Sequence, residues 1–289
     1  MSSSKLFKKI RYGLRFLPDS VYIQLNYFAH FHKFANLKNP TTYNEKLNWL
    51  KLHDHNPLYI KLVDKYEVKK FIANQIGDEY VIPTLGVWTK FDDIDFDLLP
   101  NQFVLKCTHD SEGLVIVKDK SKLDKQYAKE KIENALKQNF FYIGREWPYK
   151  NVKPRIIAEK YMEDHIDGEL RDYKFFCFNG EPKMMFVASG RASGATTFDY
   201  YDLDYNHLDI KRKCPNASSP RRKPKTFDDM IRVSKILSKD FPHVRVDFYE
   251  VDGKLYFGEL TFYTSSGFVP FKPAKWDSIL GKWLNLSNI

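Results

Sequence analysis

The sequence predicts an α+β fold with antiparallel sheets, and three observations carry that prediction. The first 75 residues hold apolar side chains at helical spacing. From residue 102 onward, short β runs are joined by tight turns. Two of these turns are Asn179-Gly180 and Asp252-Gly253, dipeptides that suit two-residue hairpins. The regular alternation of strand and helix that a doubly wound parallel sheet requires is missing.

The elements follow in order. Thr42 stands three residues before Glu45 in NPTTYNEKLNWLKLHDHNP, the spacing of a capping box, so a helix is expected to begin there. LVDKYEVKKFIANQIG continues with helical periodicity and stops at Gly77. YVIPTLGVW (80–88) reads as a strand broken by Pro83, and 90–100 as an acidic turn region ending at Pro100. FVLK and LVIV are strands on either side of the polar turn THDSEG. KQYAKEKIENALKQNFF (125–141) is an amphipathic helix, and PRIIAEKYM (154–162) a third strand. Residues 172–189 form a hairpin around Asn179-Gly180, and 226–241 form a helix opened by Thr226. Residues 243–262 form a second hairpin around Asp252-Gly253.

Composition narrows the function classes. The chain has 289 residues, 46 basic and 37 acidic side chains, and a net charge of +9. With 43% hydrophobic residues it is neither disordered, collagen-like nor a disulfide-stapled mini-protein. The aromatic share, 16%, fits either a ring-rich core or stacking against sugars. Cys107, Cys177 and Cys214 include no CxxC spacing, which argues against structural zinc and for a reducing, cytoplasmic compartment. No run of apolar residues is long enough to span a bilayer, and the basic N-terminus lacks the apolar centre of a signal peptide. There, Leu6, Phe7, Ile10, Leu14 and Phe16 share a helical face, with Lys5, Lys8, Lys9, Arg11 and Arg15 around it. Such a helix suits peripheral contact with the inner face of an anionic membrane, or packing on the body with a solvated basic edge. The one dense basic run, KRKCPNASSPRRKPK (211–225), reads as an exposed loop for an anionic partner. No nucleic-acid-binding motif accompanies it, so nucleic acid is not expected as a partner.

Four groups of residues carry chemistry. Lys106 ends an apolar strand before a turn holding Ser111 and Gly113, where a lysine and backbone amides could meet phosphate. Glu159 ends RIIAE and is followed by Lys160, Tyr161 and Met162, whose backbone could read a base edge, and then by Asp164, a candidate for ribose hydroxyls. On the second hairpin, Arg245 and Asp247 share a face, as do Glu259 and Thr261, and the turn brings Asp247 nearly opposite Glu259. Two carboxylates among apolar neighbours call for a cation, and an oxygen-rich pair suits magnesium. Last, Ser265, Ser266 and Gly267 in TFYTSSGF could present amides and hydroxyls to a carboxylate or phosphate.

The strand-end Lys106, Glu159 with its hinge, Arg245-Val246-Asp247 and Glu259-Leu260-Thr261 resemble the layout of the ATP-grasp superfamily. More narrowly, DKYEVKKF, IPTLGVW, FVLKCTHDSEG, PRIIAEKYM, DYKFFCFNGEP, FPHVRVDFYEVDGKLYFGELTF and SGFVPF resemble the TupA-like ATP-grasp proteins of bacterial polysaccharide and teichuronopeptide clusters. The resemblance runs from about residue 40 to the end. It implies two antiparallel α+β subdomains clasping ATP, preceded by a mostly helical region. Subdomain A would span 99–163 and subdomain B 164–289, after the region 1–98, with 190–225 as a lid.

The resemblance also implies roles. Lys106, Ser111 and Gly113 would contact ATP phosphates, Glu159 and the hinge Lys160–Met162 the adenine, and Asp164 the ribose. Asp247, Glu259 and Thr261 would hold magnesium, with Thr261 standing where the superfamily usually has Asn. Arg245 would stabilise the transferring phosphoryl group or the tetrahedral intermediate, Lys174 and Arg191 would be further phosphate or substrate contacts, and Ser265, Ser266, Gly267, Lys211 and Arg212 would act on the substrate. The implied reaction is a carboxylate–amine ligation through an acyl phosphate. Its implied substrates are a uronic acid of a capsule, O-antigen or teichuronopeptide-type polysaccharide, or its precursor, and an amino acid or amino sugar. Two rivals remain at this point. A glycosyltransferase of the same pathways would use Asp202-Leu203-Asp204, and a non-catalytic module would bind acidic polymer or membrane.

Overall fold

The computed structural model describes residues 12–191 and 193–287. Most of the proposed N-terminal amphipathic face, Lys5 to Arg11, therefore lies outside the described residues. In chain order the helices are α1 (Asp19–Phe31), α2 (Tyr43–His53), α3 (Leu58–Val63), α4 (Glu67–Ile76), α5 (Lys125–Leu136), α6 (Phe141–Gly144), α7 (Phe227–Ser238) and α8 (Lys275–Trp283). The strands are β1 (Thr84–Trp88), β2 (Phe103–Cys107), β3 (Leu114–Val117), β4 (Ile156–Lys160), β5 (Asp172–Phe178), β6 (Glu181–Ser189), β7 (Thr197–Tyr201), β8 (His243–Val251) and β9 (Lys254–Thr261).

The chain divides into two compact units, residues 56–163 and residues 1–55 together with 164–289. Residue 98, an expected boundary, lies inside the unit 56–163. The region 1–98 is split at His55: α2 packs with α8 in the discontinuous unit, whereas α3 and α4 belong to the other. Gly281 on α8 permits the close approach of α8 to α2. A Cβ there would lie 2.3 Å from the Thr41 carbonyl oxygen, so the bare glycine lets α8 press against the start of α2.

In the unit 56–163, four antiparallel strands run in the order β1-β4-β2-β3. One face places Phe103, Leu105, Cys107, Val115, Val117, Ile156 and Ala158 against Ala128, Ile132 and Ala135 of α5, forming one buried cluster. Helix α5 is capped as its sequence asks, by Asp124 accepting from the Tyr127 amide at 2.9 Å.

The other unit holds five antiparallel strands in the order β7-β6-β5-β8-β9. Both predicted hairpins are present. Their turn residues Asn179, Gly180, Asp252 and Gly253 all have positive φ, the geometry of a two-residue loop whose twist matches the strands. One face, with Phe175, Val246 and Phe248, packs on Phe227, Met230 and Val233 of α7. Helix α2 has the predicted capping box. Glu45 accepts from the Thr42 amide at 3.1 Å, and Thr42 Oγ1 accepts from the Glu45 amide at 3.4 Å. Thr226, by contrast, makes no side-chain cap on α7, because its amide and hydroxyl both donate to Glu250 Oε2 at 2.8 Å.

The segment 190–225 differs from the expected lid. Residues 197–201 are strand β7, paired along β6, with Phe198, Asp199, Tyr200 and Tyr201 buried. The backbone beyond them is tied down by Asn216 Nδ2, which donates to the Phe198 and Ile210 carbonyls at 2.8 and 3.0 Å. No strand signal in the sequence separates this Tyr-rich run from the rest of the segment expected as a lid.

At one end of the second face of this sheet, His243 donates from Nδ1 to the Cys177 carbonyl at 2.8 Å and accepts from Tyr43 Oη at 2.9 Å. That hydrogen-bond order fixes the neutral tautomer. Burial pushes the imidazole pKa from 6.5 down to about 3. An unfolded chain takes a proton near 6.5 and the folded one does not, so this stabilisation is complete above pH 6.5 and is lost as pH falls toward about 3. His243→Phe, which cannot titrate, should show a shallower loss of urea-unfolding midpoint from pH 6.5 to 4 than the native protein. Gly281→Ala should lower stability by about 2 kcal/mol in the same assay at pH 7, because the added methyl meets backbone that cannot yield.

Candidate functional site

Candidate side chains gather on one sheet face in each unit, opposite the face packed on a helix. In the discontinuous unit, β5 alternation turns Asp172 and Lys174 to one side, and β8 alternation turns Arg245 and Asp247 to the same side. Asp247 faces Glu259 and Arg245 faces Thr261 across β8 and β9, and the register slips at Gly258. The cross-strand placement read from the sequence is therefore correct.

Arg245 is the centre of this face. Its Nε and one terminal nitrogen donate to the two oxygens of Asp247, both at 2.7 Å. The same nitrogen reaches Glu259 Oε1 at 3.0 Å and Thr261 Oγ1 at 2.9 Å. Thr261 in turn donates to Glu259 Oε1 at 3.1 Å. Lys174 is buried, pairs closely with Asp247, and lies 3.1 Å from Asp172 Oδ1. Arg191, 54% exposed, takes the other Asp172 oxygen at 2.9 Å. Burial pushes the Asp247 carboxyl up, opposed by the Arg245 and Lys174 cations. Burial also penalises the Arg245 guanidinium, but Asp247 and Glu259 outweigh it and bind its proton more tightly. Tyr249 stands beyond Asp247 on this face, and the nearby Asp172 charge together with burial drives its phenol well above the ordinary range.

Among the described residues no three His, Cys, Asp or Glu side chains cluster as a metal site. The hard oxygens on this patch that suit magnesium are the half-exposed Glu259 carboxylate and the Thr261 hydroxyl, with Asp247 facing Glu259 but holding Arg245 and Lys174 through its two oxygens. Magnesium commonly takes one or two protein carboxylates and completes its shell with water and phosphate.

In the unit 56–163, Lys106 and Glu159 lie on the sheet face away from α5. Glu159 is buried and gripped from both sides, by Lys106 at 2.5 Å and by Lys69 of α4 at 2.5 Å. Lys69 also donates to the Ile82 carbonyl at 2.7 Å and Thr84 Oγ1 at 2.8 Å. Burial pushes the Glu159 carboxyl up, but the two lysines outweigh it and hold it below the usual carboxylate range. Beside Lys106 on this face lie Val104, Leu114 and Ile116, the last two 37% and 55% exposed.

Several site assignments change. Glu159 is a buried counter-ion to two lysines, so it does not read a base edge with its side chain. Asp164 does not offer its carboxylate to ribose, because its oxygens accept from the Asp167 amide at 2.9 Å and the Asp252 amide at 2.8 Å. The Gly113 amide is taken by Asp110 at 3.0 Å, and a Cβ there would lie 2.5 Å from Cys107 Sγ, so Gly113 serves packing rather than phosphate. Asp110 is that buried acceptor, while His109 rests on the Ala135 and Gln138 carbonyls. Arg212 is buried: it donates to the Val269 carbonyl at 3.0 Å and Asn44 Oδ1 at 3.1 Å and stacks on Phe271. It is a strut, not a substrate contact. Much of the basic run is likewise spent internally, Arg222 pairing with Asp167 at 3.0 Å and Arg221 with Asp199 at 3.9 Å.

Other assigned residues remain available. Ser111, Lys160 and Lys211 are exposed, Tyr161 is half-buried, and Met162 is buried at the end of the hinge. Ser265, Ser266 and Gly267 follow β9 in a turn with positive φ at all three, held by Lys51 on the Ser266 carbonyl at 2.6 Å and Asn48 on the Gly267 carbonyl at 2.9 Å. Asp202 closes its own turn, accepting from the Asp204 and Asn206 amides at 3.0 and 2.8 Å, so Asp202-Leu203-Asp204 is not shaped as a metal motif. The sequence reading missed Lys69, Asp172, Leu114 and Ile116. Asp172 was within reach, since it stands two residues before Lys174 on the same strand face. Lys69 was not, because only tertiary packing brings α4 to β4.

A family model described as TupA-like ATPgrasp matches residues 45–285. No curated protein sequence matches the chain. Among solved structures, the D-alanine–D-alanine ligase of Bacillus anthracis complexed with ATP is similar at 18% identity over 70% of this chain and 54% of that one, with a TM-score of 0.42. The corresponding ligase of Helicobacter pylori gives 13% identity, 84% and 69% coverage, and a TM-score of 0.44. An L-amino acid ligase of Bacillus licheniformis gives 13%, 88%, 57% and 0.45. The chain thus spans about half the length of the B. anthracis ligase. Likeness this distant carries nothing about substrate.

The lysine-flanked Glu159 gives a prediction. Its carboxyl is held low, so its stabilisation is complete above the usual carboxylate range and is lost as pH falls through its lowered folded value. Glu159→Gln should cost about 3 kcal/mol at pH 7 by leaving two lysines facing each other. In urea unfolding, the gap from the native protein should narrow at pH 3.

Proposed function

The chain belongs to the TupA-like ATP-grasp family, and on that premise we propose that it is an ATP- and magnesium-dependent carboxylate–amine ligase. The observation that supports this most is the Arg245 guanidinium, held in a fixed plane by Asp247, Glu259 and Thr261, with Lys174 beside it. Phosphoryl transfer asks for pre-positioned charge, and this face supplies it without any side-chain nucleophile.

A carboxylate oxygen of the acceptor attacks the γ-phosphorus of ATP, the bond to the bridging oxygen breaks, and ADP leaves. Arg245 and Lys174 stabilise charge on the transferring group. The amine then attacks the acyl carbon, losing a proton, and inorganic phosphate departs as the amide forms. Asp247, Glu259 and Thr261 would hold magnesium, which supplies further neutralisation of phosphate charge when bound. Lys106 meets phosphate, and Val104, Leu114 and Ile116 offer an apolar bed for the flat face of the base. That bed takes the role first given to Glu159, leaving the hinge backbone at Lys160–Met162 for the base edge. Asp172 orients Lys174 and Arg191 through its two oxygens. Ser265, Ser266 and Gly267 are assigned to the acceptor substrate, with exposed Lys211 as a further cation. The subdomain ranges 99–163 and 164–289 are kept as the two ATP-grasp portions, the first enlarged by residues 56–98.

The acceptor we propose is a uronic acid of a bacterial surface polysaccharide or its precursor, and the donor amine an amino acid or amino sugar. This substrate class rests on the family resemblance, and the exposed Arg191 guanidinium suits a carboxylate.

Thermal shift tests the nucleotide step. ATP with magnesium at a hundredfold excess over Kd should stabilise by about 2.7 kcal/mol. Glu259→Gln, which changes a half-exposed residue, should lose the magnesium dependence of that shift and lower ATP turnover on the order of 10²-fold. Stabilisation by UDP-sugars alone, with UDP release, would replace the ligase by a glycosyltransferase. Indifference to all nucleotides would leave a non-catalytic binding protein.

A further inference from the structure

Helix α1 is apolar on the side it shows to water. Its inner side buries Tyr22, Ile23, Asn26 and Tyr27. The exposed residues are Ser20, Val21, Leu25, Phe28 and Ala29, none of them charged. Val21, Leu25 and Phe28 follow the i, i+4, i+7 spacing of one stripe and are 44%, 46% and 47% exposed. The flanks extend it: Phe16 is 82% exposed, and Phe34, 63% exposed, sets its ring 5.0 Å from that of Phe28. Helix α5 shows the usual contrast, its exposed Tyr127 standing alone among Lys125, Gln126, Glu130 and Asn134.

The sequence around the stripe is strongly basic. The first 44 residues contain seven Lys or Arg, at 5, 8, 9, 11, 15, 33 and 38, and a single acid, Asp19. Arg15, Lys33 and Lys38 are exposed. An apolar stripe bordered by cations matches the interface of an anionic bilayer, where rings and aliphatic chains enter the headgroup layer and lysines meet lipid phosphate. A second copy of the chain, packed by a two-fold axis, would bring these like charges together. A soluble polyanion would use the charge and leave the stripe wet.

We propose that α1 and its flanks form a membrane-docking surface that binds anionic phospholipid headgroups. The surface is separate from the residues assigned to ligation, so the two readings stand or fall apart.

Vesicle co-sedimentation of the full chain tests it, using equal parts phosphatidylglycerol and phosphatidylcholine against phosphatidylcholine alone. Binding is expected to the anionic vesicles only, and to weaken at least about tenfold in 0.5 M salt. The double variant Leu25→Glu/Phe28→Glu should bind at least about tenfold less while its melting temperature and ATP turnover stay native, since both positions are outside the core and the assigned site. Hydrogen exchange of the native chain should slow within residues 14–34 when anionic vesicles are added. Failure of the native chain to bind, unchanged binding by the double variant, or protection elsewhere would each overturn the proposal. A concentration-dependent dimer abolished by the same variant would assign the stripe to a second copy and overturn it as well.

Discussion

A guanidinium buried in a β-sheet needs acceptors in the plane of its fork, and the face of the five-stranded sheet meets that need with carboxylates. Arg245 satisfies it with Asp247 two residues along its own strand and with Glu259 on the next. Lys174 on the strand to the other side and Asp172 below it continue the alternation of sign. Removing any one member strands its neighbour away from water, at a cost of several kcal/mol. The register of β5, β8 and β9, the slip at Gly258 and the hairpin turn at Asp252-Gly253 all serve to keep these charges matched.

The same solution recurs in smaller form in the unit 56–163, where Glu159 neutralises Lys69 and Lys106 on the sheet face away from α5. In both units an apolar face bound to a helix supplies rigidity, and the opposite face carries cations held by carboxylates. Lysines and arginines so held are fixed in position yet lie next to charges that phosphate oxygens can share or replace. That arrangement suits the phosphoryl transfer proposed for this face.

The residues that changed role share a cause. Asp164, Gly113, Arg212 and Glu159 were assigned to ligands from their types and from the family layout. Each is buried, and a buried polar group is claimed first by the backbone or charge nearest to it. Asp164 has backbone amides at Asp167 and Asp252, and Arg212 has carbonyl and amide oxygens from Val269 and Asn44. None of those partners except Asp167 is near in sequence, so the demand on each side chain could not be read along the chain.

The sequence by itself determined what depends on neighbours within a few residues. The α+β class, both hairpins, the capping box at Thr42 and the nearness of Asp247 to Glu259 follow from turn chemistry and strand alternation, which act over short range, whereas the slip at Gly258 makes the two carboxylates direct partners. The family resemblance also lay in the sequence, since its motifs are local. Tertiary structure alone decided which charges are spent internally, because that depends on which distant segments burial brings together. Lys69 reaching Glu159, β7 taking its place in the sheet, and α1 left with an apolar outer stripe are outcomes of packing over long separations. Burial raises the cost of an unmatched charge and withdraws the partner that water would have been.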